Sequence, residues 1–216
     1  HNPDTWPMDG GTLMEPEEIF EQYRRNAAFY TKGGITVTGG EPLMQVDFLI
    51  DLFTIAKKEN VHTCIDSSGI AFKPQNTEWI KKLDHLMTLT DLVMLDIKHI
   101  DPEKHREYIG VDNHLILENL KKLSADGAKI NIRLPLIDGV NASDEHIDQI
   151  IRFLKENDIR VWQVNLLKYH NTGSSKYKKL GRDYDGACMA VPDDAWLNQV
   201  VETFKQNGFP NIHIGG

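Results

Sequence analysis

Short β-branched and apolar runs alternate with amphipathic segments along this chain, and this alternation restricts its fold more than any other feature. Residues 34–38 read as a strand, and the apolar residues after them recur at helical spacing as far as Lys57 and Lys58. Further strands are predicted at 61–65, 92–96, 130–136, 161–167 and 212–214, with helices at 15–30, 77–87, 102–108, 115–125 and 193–207 and one capped by Ser143. Such strand–helix–strand units imply parallel strands. The pattern predicts an α/β fold, either a doubly wound sheet or a partial barrel.

One domain spanning residues 1–216 accounts for the whole sequence. The chain is long enough to bury a substantial core. It contains no Pro/Gly/Ser-rich linker, no repeat of solenoid period and no low-complexity segment. The apolar runs are nearly continuous, which favours strands that are covered on both faces.

Charge and composition exclude several classes of protein. Against 24 Lys and Arg stand 32 Asp and Glu, for a formal charge of −8, so we expect no nucleic-acid partner. No apolar run is long enough to span a bilayer, and no leader resembling a signal peptide precedes the first helix. The two cysteines, Cys64 and Cys188, are far apart and fit a reducing compartment. These features predict a cytoplasmic protein without membrane contact.

Polar residues gather where predicted strands end, and parallel strands open their carboxyl ends on one face. Taken singly, each has an ordinary explanation: a tight turn, a cap, an ion pair between Asp96 and Lys98, or a solvated histidine. Arg133 could simply pair with one of the carboxylates. Their convergence on one rim favours a ligand site instead, with Glu41 available to accept a hydrogen bond from an amine. The residues concerned are Gly39, Gly40, Glu41, Asp66, Ser67, Asp96, Lys98, Arg133 and His170.

Four ordered segments resemble the radical S-adenosylmethionine enzymes that activate glycyl-radical enzymes. Residues 36–42 (TVTGGEP) resemble the Gly-Gly-Glu-Pro motif of that family, and residues 1–6 (HNPDTW) are similar to the segment after the third cysteine of its Cys-X3-Cys-X2-Cys loop. Residues 90–98 and 166–170 look like those of the pyruvate formate-lyase-activating group. Because the similarity runs in order through the whole chain, it is much more specific than a lone Gly-Gly-Glu.

The resemblance implies a fold and a reaction. The fold is a partial (β/α)6 barrel, whose first strand we expect to precede this sequence. In the intact protein a [4Fe–4S] cluster receives an electron from a flavodoxin- or ferredoxin-type reductant and passes it to S-adenosylmethionine. The resulting 5′-deoxyadenosyl radical takes a hydrogen atom from a glycine of the partner, with pyruvate formate-lyase expected as that partner in an anaerobic cytoplasm.

The resemblance also implies roles for individual residues of this sequence. Gly39, Gly40 and Glu41 would face the amino-acid end of S-adenosylmethionine, and Lys98, beside Asp96, would pair with its carboxylate. The remaining candidates are His170 near the adenosine, Arg133 along the same wall, His1 and Asn2 beside the cluster loop, and Asp66, Ser67, Met94 and Asp96 around a monovalent cation.

Departures from the family pattern limit these implications. The sequence contains no Cys-X3-Cys-X2-Cys, and neither Cys64 nor Cys188 can replace it, so we expect the chain as given to be colourless and unable to cleave S-adenosylmethionine. Lys168 stands where proline is usual, and Asp-Ser-Ser replaces Asp-Thr-Asn. Two alternatives stay open: an activator of a diol dehydratase or an anaerobic ribonucleotide reductase, and a non-catalytic relic of the fold.

Overall fold

Six parallel strands form one sheet in which each strand lies beside the next one in the sequence. The computed structural model describes residues 12–30, 33–169 and 189–215. Over these residues the strands are β1 Gly34–Val37, β2 His62–Ser67, β3 Leu92–Asp96, β4 Ile130–Leu136, β5 Gln163–Lys168 and β6 Ile212–Ile214. A doubly wound sheet would reverse its direction of growth at a switch point. The unreversed order therefore selects the barrel-type alternative, and the predicted fold class is confirmed.

Within the described residues, one α-helix precedes β1 and six connect the strands, and side-chain caps fix the starts of several of them. They are α1 Pro16–Asn26, α2 Val46–Lys58, α3 Thr77–Thr88, α4 Pro102–Ile109, α5 His114–Ala125, α6 Asp144–Glu156 and α7 Asp194–Gln206, with 3-10 turns at Ala27–Phe29 and Pro42–Gln45, among the described residues. Asn76 accepts from the backbone of Trp79 at 3.0 Å, and the predicted cap Ser143 accepts from His146 at 3.3 Å. Such caps satisfy amide groups that the helix itself cannot pair.

The two faces of the sheet differ in chemistry. Side chains alternate along a strand, so one face of β2–β5 carries buried aliphatic residues: Ile65, Val93, Leu95, Ile132, Leu134, Val164 and Leu166. The opposite face carries Cys64, Asp66, Met94, Asp96, Asn131, Arg133 and Asn165. Both faces of these strands are largely buried, as the continuous apolar runs predicted, but only one of the two faces is apolar.

Two apolar clusters hold the helices against the sheet. One surrounds Phe20 and Phe53 beneath α1–α3, and the other joins Leu120, Leu154 and Phe204 of the later helices to the strands. Complete burial of each such side chain contributes about 1.5–3 kcal/mol. This packing fixes the strands, and with them the residues at their carboxyl ends.

Two expectations concern regions beyond the sheet itself. A further strand ahead of β1 stays a prediction, because the described residues do not test it. In the part of the chain that is described, no helix has both the length and the apolar character needed to cross a bilayer.

Candidate functional site

Three charged side chains are brought together on the polar face by the register of β2, β3 and β4. Asp66 lies opposite Met94, and Asp96 lies opposite Arg133, so the carboxyl ends of three neighbouring strands converge. These ends are the positions at which parallel α/β folds place their ligands. The predicted gathering of Asp66, Asp96 and Arg133 at one rim is thus observed.

The Arg133 guanidinium bridges the two carboxylates. Its Nε donates to Asp96 Oδ1 at 2.8 Å and its Nη1 donates to Asp66 Oδ2 at 2.8 Å. Its Nη2 lies 2.7 Å from Asp96 Oδ1 and also contacts Asp66 Oδ1. Thr38 adds a hydroxyl hydrogen bond of 3.2 Å to Asp66. The side chains of all three charged residues are only 18–19% exposed, so the group is largely shielded from water.

Burial sets the protonation behaviour of this group. Desolvation raises the pKa of Asp96 above its usual range, and repulsion from Asp66 adds to that effect. Attraction from Arg133 and Lys98 acts in the opposite direction without cancelling it. Burial opposes the charge on Arg133, but attraction to Asp96 and hydrogen bonding to Asp66 outweigh it and raise the guanidinium pKa. Because two carboxylates share one guanidinium, attraction to that cation does not offset the desolvation of Asp96.

Lys98 lies at the same rim, two residues beyond Asp96. The two side chains do not form the close ion pair that their spacing alone would suggest. Asp96 pairs with Arg133, and Lys98 acts on it through longer-range attraction. The Lys98 carbonyl is held at 2.7 Å by the Asn141 side-chain amide. A cavity of about 110 Å³ adjoins both residues, with Ser68, His105, Ile109 and Val111 among its lining. Lys98 is therefore a half-buried cation beside a concave surface.

Glu41 fastens the loop after β1 to the end of β2. Its Oε1 accepts from the Leu43 amide at 3.1 Å and the Ser67 hydroxyl at 2.7 Å. Its Oε2 accepts from the Ser68 amide at 3.0 Å and the Ser68 hydroxyl at 2.5 Å. An ionised carboxylate offers about four acceptor positions, and all are engaged here. A ligand amine would thus have to displace one of the hydroxyl donors.

The two glycines before Glu41 leave open space at the end of β1. Gly39 has a φ of +107°, which residues with side chains rarely adopt, whereas Gly40 has no such requirement. A Cβ atom added at either position would meet no heavy atom of the described chain within 4 Å. The described residues therefore leave room for a ligand at this backbone, and the predicted role of Gly39 and Gly40 in binding one stays a prediction.

This geometry brings together only some of the side chains predicted to bind a monovalent cation. Asp66, Met94 and Asp96 share a face, but the Ser67 hydroxyl points to the other side of β2, where it donates to Glu41 and accepts from the Gly69 amide at 2.9 Å. The guanidinium of Arg133 lies between the carboxylates. The monovalent-cation site stays a prediction, and these side chains do not fit it while Arg133 bridges them.

The described residues do not fit an iron–sulfur cluster. Cys64 is buried in β2, and desolvation raises its pKa, which disfavours the thiolate that binds iron. No cluster of three or more His, Cys, Asp or Glu side chains suited to a metal ion occurs within the described ranges. His1, Asn2, His170 and Cys188 lie outside those ranges, so the structure does not place them.

Sequence reasoning missed two residues that shape the site. Ser68 supplies two of the four bonds to Glu41, and its place in Asp-Ser-Ser after a strand was the available signal. Asn141 joins the loops after β3 and β4, and no motif marked it.

Comparison with known proteins agrees with this geometry. Residues 1–154 match the Radical SAM superfamily. A pyruvate formate-lyase-activating enzyme of Listeria monocytogenes is 39% identical over 208 residues, which cover 94% of this chain and 83% of that protein. A trans-4-hydroxy-L-proline dehydratase activating enzyme of Clostridioides difficile is 38% identical over 211 residues, covering 95% and 67% respectively.

A solved structure gives the same result at the level of the fold. A domain of a pyruvate-formate lyase-activating enzyme from Bacteroides vulgatus superposes with a TM-score of 0.70 at 28% identity, over 86% of this chain and all of that domain. The resemblance inferred from residues 36–42 and 90–98 is confirmed by these matches. The chain belongs to the Radical SAM superfamily and, within it, to the family of enzymes that activate glycyl-radical enzymes.

Proposed function

We propose that this protein contributes the S-adenosylmethionine-binding rim of an enzyme that activates pyruvate formate-lyase. The observation that carries the proposal is the convergence of the Gly39–Gly40 loop with Asp66, Asp96, Lys98 and Arg133 at the carboxyl ends of β1–β4. Strand ends offer no packing reason for so many charged side chains. The relatives named above supply the reaction class that such a rim would serve.

The charges at this rim suit the amino-acid end of S-adenosylmethionine. Its carboxylate would pair with Lys98, which attracts Asp96 less strongly than Arg133 does. Its amino group would approach the open backbone of Gly39 and Gly40 and compete with Ser68 for the Glu41 carboxylate. The roles of His1, Asn2 and His170 toward the cluster loop and the adenosine belong to the same proposal.

The proposed reaction balances as two one-electron steps. One electron added to the sulfonium breaks its bond to C5′, giving methionine and a 5′-deoxyadenosyl radical. That radical takes a hydrogen atom from a glycine Cα of the partner, leaving 5′-deoxyadenosine and a glycyl radical. In this family a [4Fe–4S] cluster delivers the electron, and we propose a flavodoxin- or ferredoxin-type donor in an anaerobic cytoplasm. The described residues would bind and orient the cosubstrate.

A second candidate partner is supported by the comparison itself. The hydroxyproline dehydratase activator and the pyruvate formate-lyase activator differ by one percentage point in identity to this chain. We therefore propose incubating the reconstituted full-length enzyme separately with each glycyl-radical enzyme and measuring the glycyl radical by electron paramagnetic resonance. A signal in pyruvate formate-lyase alone is expected, and a signal confined to the dehydratase would contradict the partner assignment.

Two substitutions test the rim in the full-length, cluster-loaded enzyme. Lys98→Ala should raise the dissociation constant of S-adenosylmethionine about 10- to 100-fold, because one charge-assisted contact is lost. Asp96→Ala should abolish cleavage while far-ultraviolet circular dichroism stays unchanged. Lys58→Ala removes an exposed lysine at the end of α2 and is the matched control. Full activity of both rim variants would contradict the site assignment.

The same experiment separates a non-catalytic relic from an enzyme. A relic would neither bind S-adenosylmethionine at this rim nor cleave it, even with the cluster in place. Binding that weakens in Lys98→Ala but not in Lys58→Ala is the result expected for the enzyme.

A further inference from the structure

Arg133 holds the position between two carboxylates that a small cation would need. Three of its nitrogens lie against Asp66 and Asp96, and two of the bonds measure 2.8 Å. The fork of the guanidinium matches carboxylates in a way that the point charge of an ammonium or alkali-metal ion does not. Both oxygens of Asp66 and Oδ1 of Asp96 contact this one group.

The surroundings make a second cation at this point unfavourable. Arg133, Asp66 and Asp96 are each less than one-fifth exposed, so repulsion between like charges would be weakly screened. Lys98 already adds a positive charge that acts on Asp96. A hard cation prefers several oxygen ligands, and three of the four carboxylate oxygens here are engaged by the guanidinium.

We propose that Arg133 is the resident counter-ion of Asp66 and Asp96, and that it competes with monovalent cations for this acidic pair. While the guanidinium bridges both carboxylates, potassium or sodium is excluded; once the guanidinium is removed, the pair binds the ion. Arg133 is thus a positioning residue that holds the ends of β2, β3 and β4 together by charge. This inference deepens the proposed function, on which it rests for the importance of the rim.

The test is thermal unfolding of the wild-type protein and Arg133→Gln in potassium chloride and in tetramethylammonium chloride of equal ionic strength. Equal ionic strength keeps general screening the same, so a difference between the salts reports specific binding. We expect less than about 1 °C of difference for the wild type and at least about 3 °C of stabilisation by potassium in Arg133→Gln. Arg152→Gln, an exposed substitution with the same charge change on α6, should behave as the wild type.

Two outcomes would overturn the proposal: equal potassium-specific stabilisation of the wild type and Arg133→Gln, or none in Arg133→Gln. The double variant Arg133→Gln with Asp96→Asn should lose the effect, because half of the acidic pair is gone. If Arg133→Gln is unfolded in tetramethylammonium chloride, its far-ultraviolet circular dichroism is compared in potassium chloride of equal ionic strength. Recovery of the folded signal in potassium supports competition, and failure to recover contradicts it. No cofactor or reaction is involved, so failure here is distinguishable from failure of the proposed function.

Discussion

Glu41 shows how much one residue of the strand-end loop contributes before any ligand binds. Its carboxylate accepts four hydrogen bonds, two from backbone amides and two from serine hydroxyls, and thereby ties the loop after β1 to β2. A hydrogen bond to a charged group contributes about 1.5–3 kcal/mol, more than a neutral one. The residue therefore stabilises the rim, and the proposed ligand amine would have to displace one of its hydroxyl donors.

Glu41→Gln should destabilise the protein by about 2–3 kcal/mol and lower its melting temperature by about 5–10 °C. The glutamine amide keeps one acceptor oxygen. Its NH2 group replaces the other oxygen and faces the donors of either Leu43 and Ser67 or Ser68, with which it cannot form those hydrogen bonds. Chemical denaturation of this variant beside Glu156→Gln, an exposed substitution at the end of α6, measures the effect. Equal stability of the two variants would show that the Glu41 contacts contribute nothing.

At the scale of elements, the loop after β4 is attached to the loop after β3 by the buried side chain of Asn141. It accepts from the Ile137 amide at 2.7 Å and donates to the carbonyls of Lys98 and Pro135, each at 2.7 Å. Asn141 is 3% exposed, so water does not replace these bonds. Its amide thus fixes the backbone from which Lys98 projects.

Replacing Asn141 by alanine should cost about 2–3 kcal/mol, because it leaves buried amide and carbonyl groups without partners. Faster hydrogen exchange of the Ile137 amide would locate the loss in this loop. Asn198→Ala removes one exposed bond of 2.8 Å within α7 and should change stability by less than about 0.5 kcal/mol. An unaltered exchange rate at Ile137 in Asn141→Ala would rule out the anchoring role.

The start of α6 gives the fold a sensitivity to acid. His146 is buried against His99, with ring centroids 4.4 Å apart, and its pKa is lowered from 6.5 to about 4, mainly by desolvation and further by His99, with Asp101 opposing. Because the unfolded state then binds the proton first, stability is lost as pH falls from about 6.5 to about 4 and is constant below that range. The difference corresponds to about 3 kcal/mol.

His146→Phe should remove that part of the acid dependence while keeping an aromatic ring beside His99. Denaturation across this pH range should show a shallower decline than in the wild type, whereas His85→Phe, on the exposed face of α3, should follow the wild type. Parallel curves for the wild type and His146→Phe would mean that His146 is not the titrating group.

Periodicity predicted the elements well because packing and local chemistry agree along most of this chain. Strands β4 and β6 have the predicted bounds, and Ser143 caps α6 as expected. The polar face of the sheet was harder to foresee, because Asn131 is buried almost as deeply as the aliphatic residues around it. That Arg133 bridges both Asp66 and Asp96 depends on the register of three strands, which no local pattern contains.

At the scale of the whole molecule, the given sequence combines the charged rim proposed to bind S-adenosylmethionine with cysteines that do not form the cluster motif of its family. Cys64 is buried within the sheet, and neither cysteine belongs to a Cys-X3-Cys-X2-Cys sequence.

The 216-residue chain should stay colourless after anaerobic incubation with iron and sulfide, because isolated cysteines cannot hold a [4Fe–4S] cluster. The control is the same protein extended by a cysteine-bearing segment ahead of His1, which should turn brown. A visible iron–sulfur absorption band from the 216-residue chain would refute this expectation.

The most direct test of the central claim is hydrogen transfer from the partner. The full-length, cluster-loaded enzyme is incubated with a reductant, S-adenosylmethionine and pyruvate formate-lyase containing α-deuterated glycine, and the 5′-deoxyadenosine is analysed by mass spectrometry. We predict that the wild-type enzyme yields 5′-deoxyadenosine carrying one deuterium. Asp96→Ala should yield no 5′-deoxyadenosine at all. Cleavage that leaves the product without deuterium, or that persists unchanged in Asp96→Ala, would contradict the account.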